Sequence, residues 1–254
     1  MSISTEKRAI VTLSIGENYS RLGKFTLPLM QTYADCVGAD FHVINSPKIK
    51  IGMNHYEKFQ LHEYLEEYDR ILFVDLDILI IPQCPNIFEA VPQEYFGAFK
   101  VSDYSFIHDN SIQLIQQKLG DIKWERDYFN SGVMICSKQH QDVFNINNGY
   151  LKKWANYSQR EGDGTYLDQT LINYNVKRFN IPFFDISYKF NHTSAPKNSS
   201  KRFQSYFIHY PGKGHRKGDK LQQIQKDSII IQSHTLLFIL AQLPILNRIL
   251  DRIL

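Results

Sequence analysis

Two aspartates that stand two positions apart inside an apolar run are the most informative feature of this sequence. From Ile71 to Ile81 the only polar residues are Asp75 and Asp77. Such a run predicts a buried strand of a parallel sheet. An unpaired carboxylate there costs several kcal/mol, so two neighbouring ones need a shared counter-charge. A divalent cation is the simplest, and carboxylate oxygens suit Mn²⁺ or Mg²⁺.

The alternative is that the pair arose by chance, as many Asp-X-Asp pairs on protein surfaces do. The apolar frame argues against this, because it places Asp75 and Asp77 at the end of a core strand and not in a polar loop. A cation held by only two side chains also keeps coordination positions free for a substrate phosphate. The sequence therefore predicts a metal site that faces a phosphate-bearing ligand.

The elements that must position this pair alternate along the chain. Residues 9–14 and 41–44 predict strands, and residues 27–37 predict a helix with Pro28 in its first turn. Aromatic residues at helical spacing from Tyr56 to Tyr68 lead into the strand that carries Asp75. This alternation is typical of an α/β protein with a doubly wound parallel sheet. Further strands are predicted at residues 96–101, 132–135 and 206–209, and further helices at 112–119, 141–156 and 167–176.

Composition bounds the class of protein. The 254 residues are 43% hydrophobic and 22% charged, as in an ordinary globular chain, and the net charge of +3 is too small to predict binding to nucleic acid. The cysteines, Cys36, Cys84 and Cys136, form no CxxC motif, which favours a reducing compartment. The first residues lack the apolar stretch of a secretion signal. A cytoplasmic location is therefore expected.

The end of the chain differs from the rest. We expect one catalytic domain over residues 1–227 and an apolar helical tail over 228–254, which Pro244 and Arg248 make a poor transmembrane span. The tail has three interpretations: a helix at the surface of a membrane, a helix packed on its own domain, or a contact with a second subunit. A basic stretch before it, containing Lys213, Arg216, Lys217 and Lys220, could help to hold anionic lipid.

Four segments in a fixed order resemble glycosyltransferase family 8, which includes glycogenin and bacterial lipopolysaccharide galactosyl- and glucosyltransferases. They are YDRILFVDLD at residues 68–77, FNSGVMI at 129–135, DQTLIN at 168–173 and HYPG at 209–212. The resemblance extends from residue 9 to about residue 217. It implies a GT-A nucleotide-sugar fold, in which a Rossmann-like, mostly parallel sheet is flanked by helices and the donor binds at the carboxyl ends of the strands.

The resemblance also implies a metal and phosphate site. His209 would join Asp75 and Asp77 as a metal ligand, and an imidazole favours manganese over magnesium. Without the resemblance, a strand-end histidine bonded to backbone is the better interpretation. The basic loop from Gly212 would hold the diphosphate through Lys213 or Lys217, unless it is a solvated turn. His215 stands where the family has lysine, and no Pro-Trp follows, so the choice between the two lysines stays open.

For the donor and its sugar, the resemblance implies that Asp168 binds hydroxyl groups and Gln169 lies beneath the anomeric carbon. Because an amide is a poor nucleophile, a front-side displacement with retention of configuration fits better than a glycosyl-enzyme. Taken singly, Asp168 is also an ordinary residue for a helix start, and Lys58 an ordinary exposed helix lysine. The remaining predicted donor contacts are Thr12, Ser14, Glu17, Tyr19, Lys58, Asp75, Leu76, Asp103, Asn130 and Ser131.

These features favour a metal-dependent glycosyltransferase that moves a hexose from a UDP-sugar to a glycan or lipid-linked acceptor in cell-surface polysaccharide or lipopolysaccharide synthesis. The tail favours an acceptor at the inner face of a membrane. One alternative is a phosphatase of the haloacid dehalogenase type, but those enzymes carry Asp-X-Asp near the chain start and Thr or Val where Leu79 stands here. Another is a non-catalytic nucleotide-sugar-binding subunit.

Overall fold

A central sheet organises the molecule. The computed structural model describes residues 6–49, 51–104, 109–160, 167–233, 236–244 and 246. Within them, a six-stranded sheet has the order β2-β1-β3-β6-β5-β7, and β4 and β8 form a separate two-stranded sheet. The strands are β1 Arg8–Leu13, β2 Asp40–Ile44, β3 Arg70–Val74, β4 Ile78–Ile80, β5 Phe96–Lys100, β6 Phe129–Ser137, β7 Phe183–Asp185 and β8 Phe207–His209. In the large sheet, only β6 runs antiparallel to its neighbours, so the sheet is mostly parallel.

Helices flank the sheet and differ from the sequence predictions chiefly at their starts. They are α1 Glu17–Val37, α2 Leu61–Glu67, α3 Ile87–Ala90, α4 Asp109–Leu119, α5 Tyr150–Arg160, α6 Leu167–Arg178, α7 Lys220–Gln232 and α8 Leu236–Ala241. Pro28 lies inside α1, so the prediction that it stands in the first turn was wrong. Because proline has no N–H, α1 lacks one backbone hydrogen bond at this position, and the other hydrogen bonds of this long helix keep it intact. The predicted end of this helix at residue 37 is confirmed, and Gly38, in the left-handed conformation, follows it.

The predicted helix over residues 141–156 is two elements. A 3-10 helix covers Lys138–Phe144 and α5 begins at Tyr150, with Gly149 at a φ of 79° between them. The intervening residues 145–149 are Asn-Ile-Asn-Asn-Gly, which favour turns over helix because Asn side chains bond to nearby backbone.

The apolar run from Ile71 to Ile81 was predicted as one strand, and this was wrong. β3 ends at Val74, and β4 pairs antiparallel with β8 in the second sheet. Between them, the Asp75 N–H donates to the Gly132 carbonyl at 2.7 Å, and the Asp77 carbonyl accepts from the Tyr210 N–H at 3.0 Å. Both halves are buried, so hydrophobicity does not reveal the break. Its consequence is that the two aspartates lie where the two sheets meet.

Buried apolar side chains form two clusters. The larger surrounds the main sheet, and the smaller joins α1, β4, β8, α7 and α8 through residues such as Leu22, Leu79, Ile224 and Phe238. Each buried Leu, Ile or Phe contributes about 1.5–3 kcal/mol. α7 continues across residue 227, which was expected to end the catalytic domain, and packs on that domain through Ile224, Ile230 and Ile231.

The separate tail of residues 228–254 stays a prediction, and residues 247–254 lie outside the described part of the chain. Among the helices of the described residues, none combines the length and the apolar character that crossing a bilayer requires.

Candidate functional site

Asp75, Asp77 and His209 converge where the two sheets meet. One ligand atom from each lies within 4.8 Å of the others. The His209 Nε2 atom is 3.2 Å from Asp77 Oδ1 and 3.9 Å from Asp75 Oδ2. Pairing of Ile78 with His209 in the β4–β8 ladder sets this approach. Two carboxylates and one imidazole are a donor set that suits Mn²⁺, and also Mg²⁺. These residues therefore fit the metal that the sequence predicts.

Gly132 allows His209 to reach the aspartates. A Cβ atom at this position would stand 2.3 Å from His209 Cε1 and 2.9 Å from Asn130 Oδ1. Any side chain here would displace the imidazole ring. The glycine in the FNSGVMI segment is thus needed for close approach of the ring, and not for an unusual backbone angle.

The triad forms part of the wall of a cavity of about 260 Å³. Its lining is mixed, with carboxylates, lysines, amides and a few apolar side chains. Among the residues singled out from the sequence, those that line it are Tyr19, Lys58, Asp75, Leu76, Asp77, Asn130, Ser131, Asp168, Gln169, His209 and Gly212. Residues drawn from six separate parts of the chain thus share one cavity.

Lys58 is buried beneath this cavity, so the interpretation as an exposed helix lysine was wrong. Its Nζ atom lies 2.9 Å from Asp168 Oδ2, 3.1 Å from Asp75 Oδ1 and 3.2 Å from Ser131 Oγ. Burial disfavours the charged ammonium, but attraction to Asp168 and Asp75 outweighs it and raises the pKa of Lys58. Lys58 is therefore a fixed positive charge that links Asp75, at the end of β3, to Asp168 on α6.

Lys220 is a second cation at the site, and the sequence analysis assigned it only to a lipid-binding stretch. It is the first residue of α7, which Asp219 caps by accepting from the Gln222 N–H. The Lys220 Nζ atom lies 3.0 Å from Asp77 Oδ2. Burial opposes the charge on Asp77, but His209 and then Lys220 outweigh it, so the pKa of Asp77 is lowered. Asp77 is accordingly a carboxylate.

Amide and hydroxyl groups form the opposite wall. Gln169 Oε1 accepts from the Ser131 N–H at 2.9 Å and from Asn130 Nδ2 at 3.0 Å. Ser131 Oγ donates to Asp168 Oδ2 at 3.4 Å. Burial raises the pKa of Asp168, but Lys58 outweighs it, and the net pKa is lowered. Asp168 is therefore a carboxylate, as Asp77 is.

The basic loop contributes differently from what the sequence suggested. His215, which stands where the family has lysine, bonds through Nε2 to the His209 carbonyl at 3.0 Å, and burial lowers the pKa of its ring to about 3. His215 is therefore a neutral ring that hydrogen-bonds to the end of β8. Arg216 pairs with Asp227 at 3.0 Å. Lys213 and Lys217 are exposed and do not line the cavity.

Four other predicted donor contacts also lie outside the cavity wall. Thr12 is fully buried inside β1, and Ser14 and Glu17 follow that strand without lining the cavity. Asp103 pairs with Lys100 at 3.2 Å in a separate surface depression. Their roles in donor binding stay predictions. The lining residues that the sequence analysis did not place in the site are Leu13, Ile15, Asn54, His55, Pro211 and Lys220.

Comparison with known proteins identifies one family. The family model described as Glycosyl transferase family 8 matches residues 25–217. A glycogenin of Komagataella phaffii (strain GS115 / ATCC 20864) is 28% identical over 166 residues, which cover 61% of this chain and 33% of that protein. The match thus spans about a third of the length of this curated relative.

Solved structures agree on the fold. One is a glycosyltransferase involved in the glycosylation of the major capsid of PBCV-1, with a TM-score of 0.55 and 11% identity over 86% of this chain and 98% of that one. Another is the glycosyltransferase GlyE of Streptococcus pneumoniae TIGR4, with a TM-score of 0.54 and 12% identity over 98% of this chain and 64% of that one. With the mostly parallel sheet flanked by helices, they confirm the expected α/β GT-A fold.

Proposed function

Because the chain belongs to glycosyltransferase family 8 and is a glycosyltransferase, we propose that it transfers a hexose from a UDP-sugar to a glycan or lipid-linked acceptor. The observation that carries this proposal is the convergence of Asp75, Asp77 and His209 on a cavity that also contains Lys58 and Lys220. Family membership favours this function over the two alternatives from the sequence, a haloacid dehalogenase-type phosphatase and a non-catalytic nucleotide-sugar-binding subunit.

Charge in the cavity supports a diphosphate-bearing donor. Asp75, Asp77 and Asp168 share the cavity with Lys58 and Lys220, and a divalent cation held by Asp75, Asp77 and His209 would offset the charge of the two neighbouring aspartates together with that of a diphosphate. Mn²⁺, or Mg²⁺, would be held by Asp75, Asp77 and His209, and as a Lewis acid it would stabilise charge on the departing diphosphate. Lys220 stands at the same aspartate and offers an ammonium to the phosphate groups, a role that the sequence had suggested for Lys213 or Lys217.

The amide wall argues against a glycosyl-enzyme intermediate, so the retention of configuration that the family resemblance implies would proceed by front-side displacement. Both hydrogen bonds to Gln169 Oε1 engage the oxygen that would have to attack a sugar carbon. A group already saturated by two donors is a poor nucleophile. Gln169 then serves to fix the sugar, Asp168 binds its hydroxyl groups, and the leaving phosphate takes the proton of the attacking acceptor.

The described part of the tail supports an acceptor at a membrane, as in synthesis of cell-surface polysaccharide or lipopolysaccharide. Ile229, Ile239 and Leu243 are 57%, 61% and 52% exposed, and the basic loop that precedes α7 in the chain exposes Lys213 and Lys217. Exposed apolar and basic side chains suit the surface of an anionic bilayer.

A sedimentation assay with anionic vesicles tests membrane binding, and the protein should pellet with the vesicles. Replacement of Ile229, Ile239 and Leu243 together by Ser should reduce binding more than replacement of Ile146, another exposed apolar residue.

Donor turnover tests the main proposal. The protein is incubated with a panel of UDP-hexoses and of sugars linked to other nucleotides, with Mn²⁺ and with chelator, and release of the nucleoside phosphate is measured. Turnover of at least one UDP-sugar should require the metal and should fall by at least about 100-fold in Asp77→Asn, since a charged ligand to the metal is lost. Asp121→Asn, an exposed surface carboxylate, is the matched control. Equal turnover in chelator, or turnover only of other nucleotide sugars, would contradict the proposal.

A further inference from the structure

A row of hydrogen-bonded amides connects the metal-site histidine to the sugar-site glutamine. His209 Nδ1 lies 2.7 Å from Asn191 Oδ1, Asn191 Nδ2 donates to Asn130 Oδ1 at 2.9 Å, and Asn130 Nδ2 donates to Gln169 Oε1 at 3.0 Å. Asn191 was not among the site residues predicted from the sequence. It is fully buried and is the second link of this row.

Two backbone groups determine the direction of every bond in the row. A peptide N–H can only donate. The Ser131 N–H faces Gln169 Oε1 at 2.9 Å, and the Gly132 N–H faces the Asn130 side chain at 3.0 Å. Hence the Gln169 atom is its carbonyl oxygen, and the Asn130 atom that faces Gly132 is also an oxygen. If the amide group of Gln169 or Asn130 were rotated by 180°, exchanging its oxygen and nitrogen, a donor would face a donor or an acceptor would face an acceptor.

The direction then passes to His209. Because the Asn130 oxygen is an acceptor, Asn191 must present its NH₂ group to it, and therefore presents its own oxygen to His209. An oxygen at 2.7 Å from His209 Nδ1 requires a proton on that nitrogen. In the neutral ring, the lone pair is then on Nε2, which faces Asp77 and Asp75.

We propose that Asn191 is a positioning residue that fixes the tautomer of His209 so that Nε2 can bind a divalent cation, and that the row joins this ligand to Gln169. The inference rests on the proposed metal site. The opposite direction would place the proton on Nε2, where it would bond to Asp77 and block coordination. Outer partners of this kind orient metal-binding histidines and strengthen them as ligands.

The backbone around Asn191 supports a fixed geometry. Asn191 follows the short 3-10 helix Tyr188–Phe190, and its N–H bonds to the Tyr188 carbonyl at 3.0 Å. The next residue, His192, donates to the Phe207 carbonyl and accepts from the His209 N–H, each at 3.0 Å. Asn191 is thereby tied to the strand that carries its partner, and it cannot move independently of His209.

A measurement on the wild-type protein tests the tautomer directly. In metal-free protein labelled with ¹⁵N-histidine, at a pH where the ring is neutral, the His209 signals should show a protonated Nδ1 and an unprotonated Nε2. The signals are assigned by their loss in His209→Gln. This readout needs no donor and no turnover, so it can succeed even if the proposed transfer reaction fails. A proton on Nε2 in the neutral ring would overturn the inference.

Two variants separate positioning from mere packing. Asn191→Asp still offers an oxygen to His209 Nδ1 but cannot donate to Asn130, whereas Asn191→Ala offers neither. We expect Asn191→Ala to weaken binding of Mn²⁺ alone by about 10- to 100-fold, and Asn191→Asp to keep Mn²⁺ affinity close to wild type while losing turnover. Loss of Mn²⁺ affinity in both variants, or in neither, would overturn the inference. If a variant does not fold, the wild-type tautomer decides.

Discussion

Lys220 shows how one residue can change the interpretation of a site. It reaches Asp77 from the first turn of α7, while the loop lysines Lys213 and Lys217 remain exposed. In the metal-free protein its ammonium neutralises an aspartate that the metal also needs. A metal bound by Asp77 would take over that charge, and the proposed function then gives the same ammonium to the donor phosphates.

We expect Lys220→Gln to weaken binding of UDP in the presence of Mn²⁺ by about 10- to 100-fold, because a charged hydrogen bond to phosphate contributes about 1.5–3 kcal/mol. In the absence of UDP, the same variant should bind Mn²⁺ at least as tightly as wild type, since a competing cation has been removed. Isothermal titration measures both affinities. Lys213→Gln and Lys217→Gln are the matched controls, and a larger effect of either on UDP binding would return the phosphate contact to the loop.

Lys58 allows a prediction about stability. Its ammonium lies between two carboxylates in a buried position, where its side chain is 4% exposed. Lys58→Met should lower the free energy of unfolding by about 3–5 kcal/mol, because Asp168 is left as an uncompensated buried charge. Adding Asp168→Asn should restore part of that loss. Urea denaturation measures both, and an equal or greater loss in the double variant would show that Lys58 acts by packing alone.

Among single residues, the acidic residues of the site were easier to predict from the sequence than the residues that contact the predicted metal ligands. Asp75 and Asp77 were recognisable because charge in an apolar run is costly, and His209 followed from the family resemblance. Lys220 and Asn191 carry no such signal, because a lysine at a helix start and an asparagine in a loop are common on any surface. Only the fold shows that each faces the metal site.

At the scale of elements, a buried ion cluster attaches α7 to the rest of the molecule. Asp227 accepts from Arg202 at 2.6 and 3.0 Å, from Tyr210 at 2.5 Å and from Arg216 at 3.0 Å. Arg202 and Asp227 are fully buried. Because Tyr210 directly follows His209, this cluster fixes the position of α7 relative to the end of β8. It thereby also fixes Lys220 relative to His209.

Asp227→Ala should therefore lower the free energy of unfolding by about 3–5 kcal/mol, since it removes the carboxylate that faces a buried guanidinium. Asp121→Ala is the control. Its pairing with Lys123 is solvent-exposed and screened by water, so its loss should change the free energy of unfolding little. Guanidinium denaturation followed by circular dichroism compares the two variants. A similar small loss in both would contradict a structural role for the cluster.

Element boundaries were predictable where a residue enforces them and not elsewhere. The end of α1 at residue 37 was predictable because Gly38, which adopts the left-handed conformation, stops a helix. The break between β3 and β4 was missed because both sides of it are apolar and buried, and what redirects the chain is a pair of distant contacts with Gly132 and Tyr210. Contacts made across the fold cannot be derived from local periodicity.

At the scale of the whole molecule, buried histidines make stability depend on pH. His192 is fully buried, and burial lowers its pKa to about 4; His215 is lowered in the same way to about 3. In the unfolded chain both titrate near pH 6.5. Between these limits the unfolded state binds more protons, so stability is complete above about pH 7 and is lost as the pH falls.

For His192 alone, the loss between pH 7 and pH 5 should be about 2 kcal/mol. Urea titrations at the two pH values measure it, and His192→Asn should reduce the difference by roughly that amount whatever its effect at pH 7. An unchanged difference in the variant would show that His192 does not carry the pH dependence.

The position of α7 limits how short a fragment of this chain can be and still keep the candidate site. The family match covers residues 25–217, yet a fragment excised at those limits would omit β1, an inner strand of the large sheet, and the whole of α7. It would also remove Ile224, Ile230 and Ile231 from the apolar cluster that they form with residues of α1, β4 and β8. A minimal enzyme made by trimming to the shared region would thus be without both a structural centre strand and the cation at Asp77.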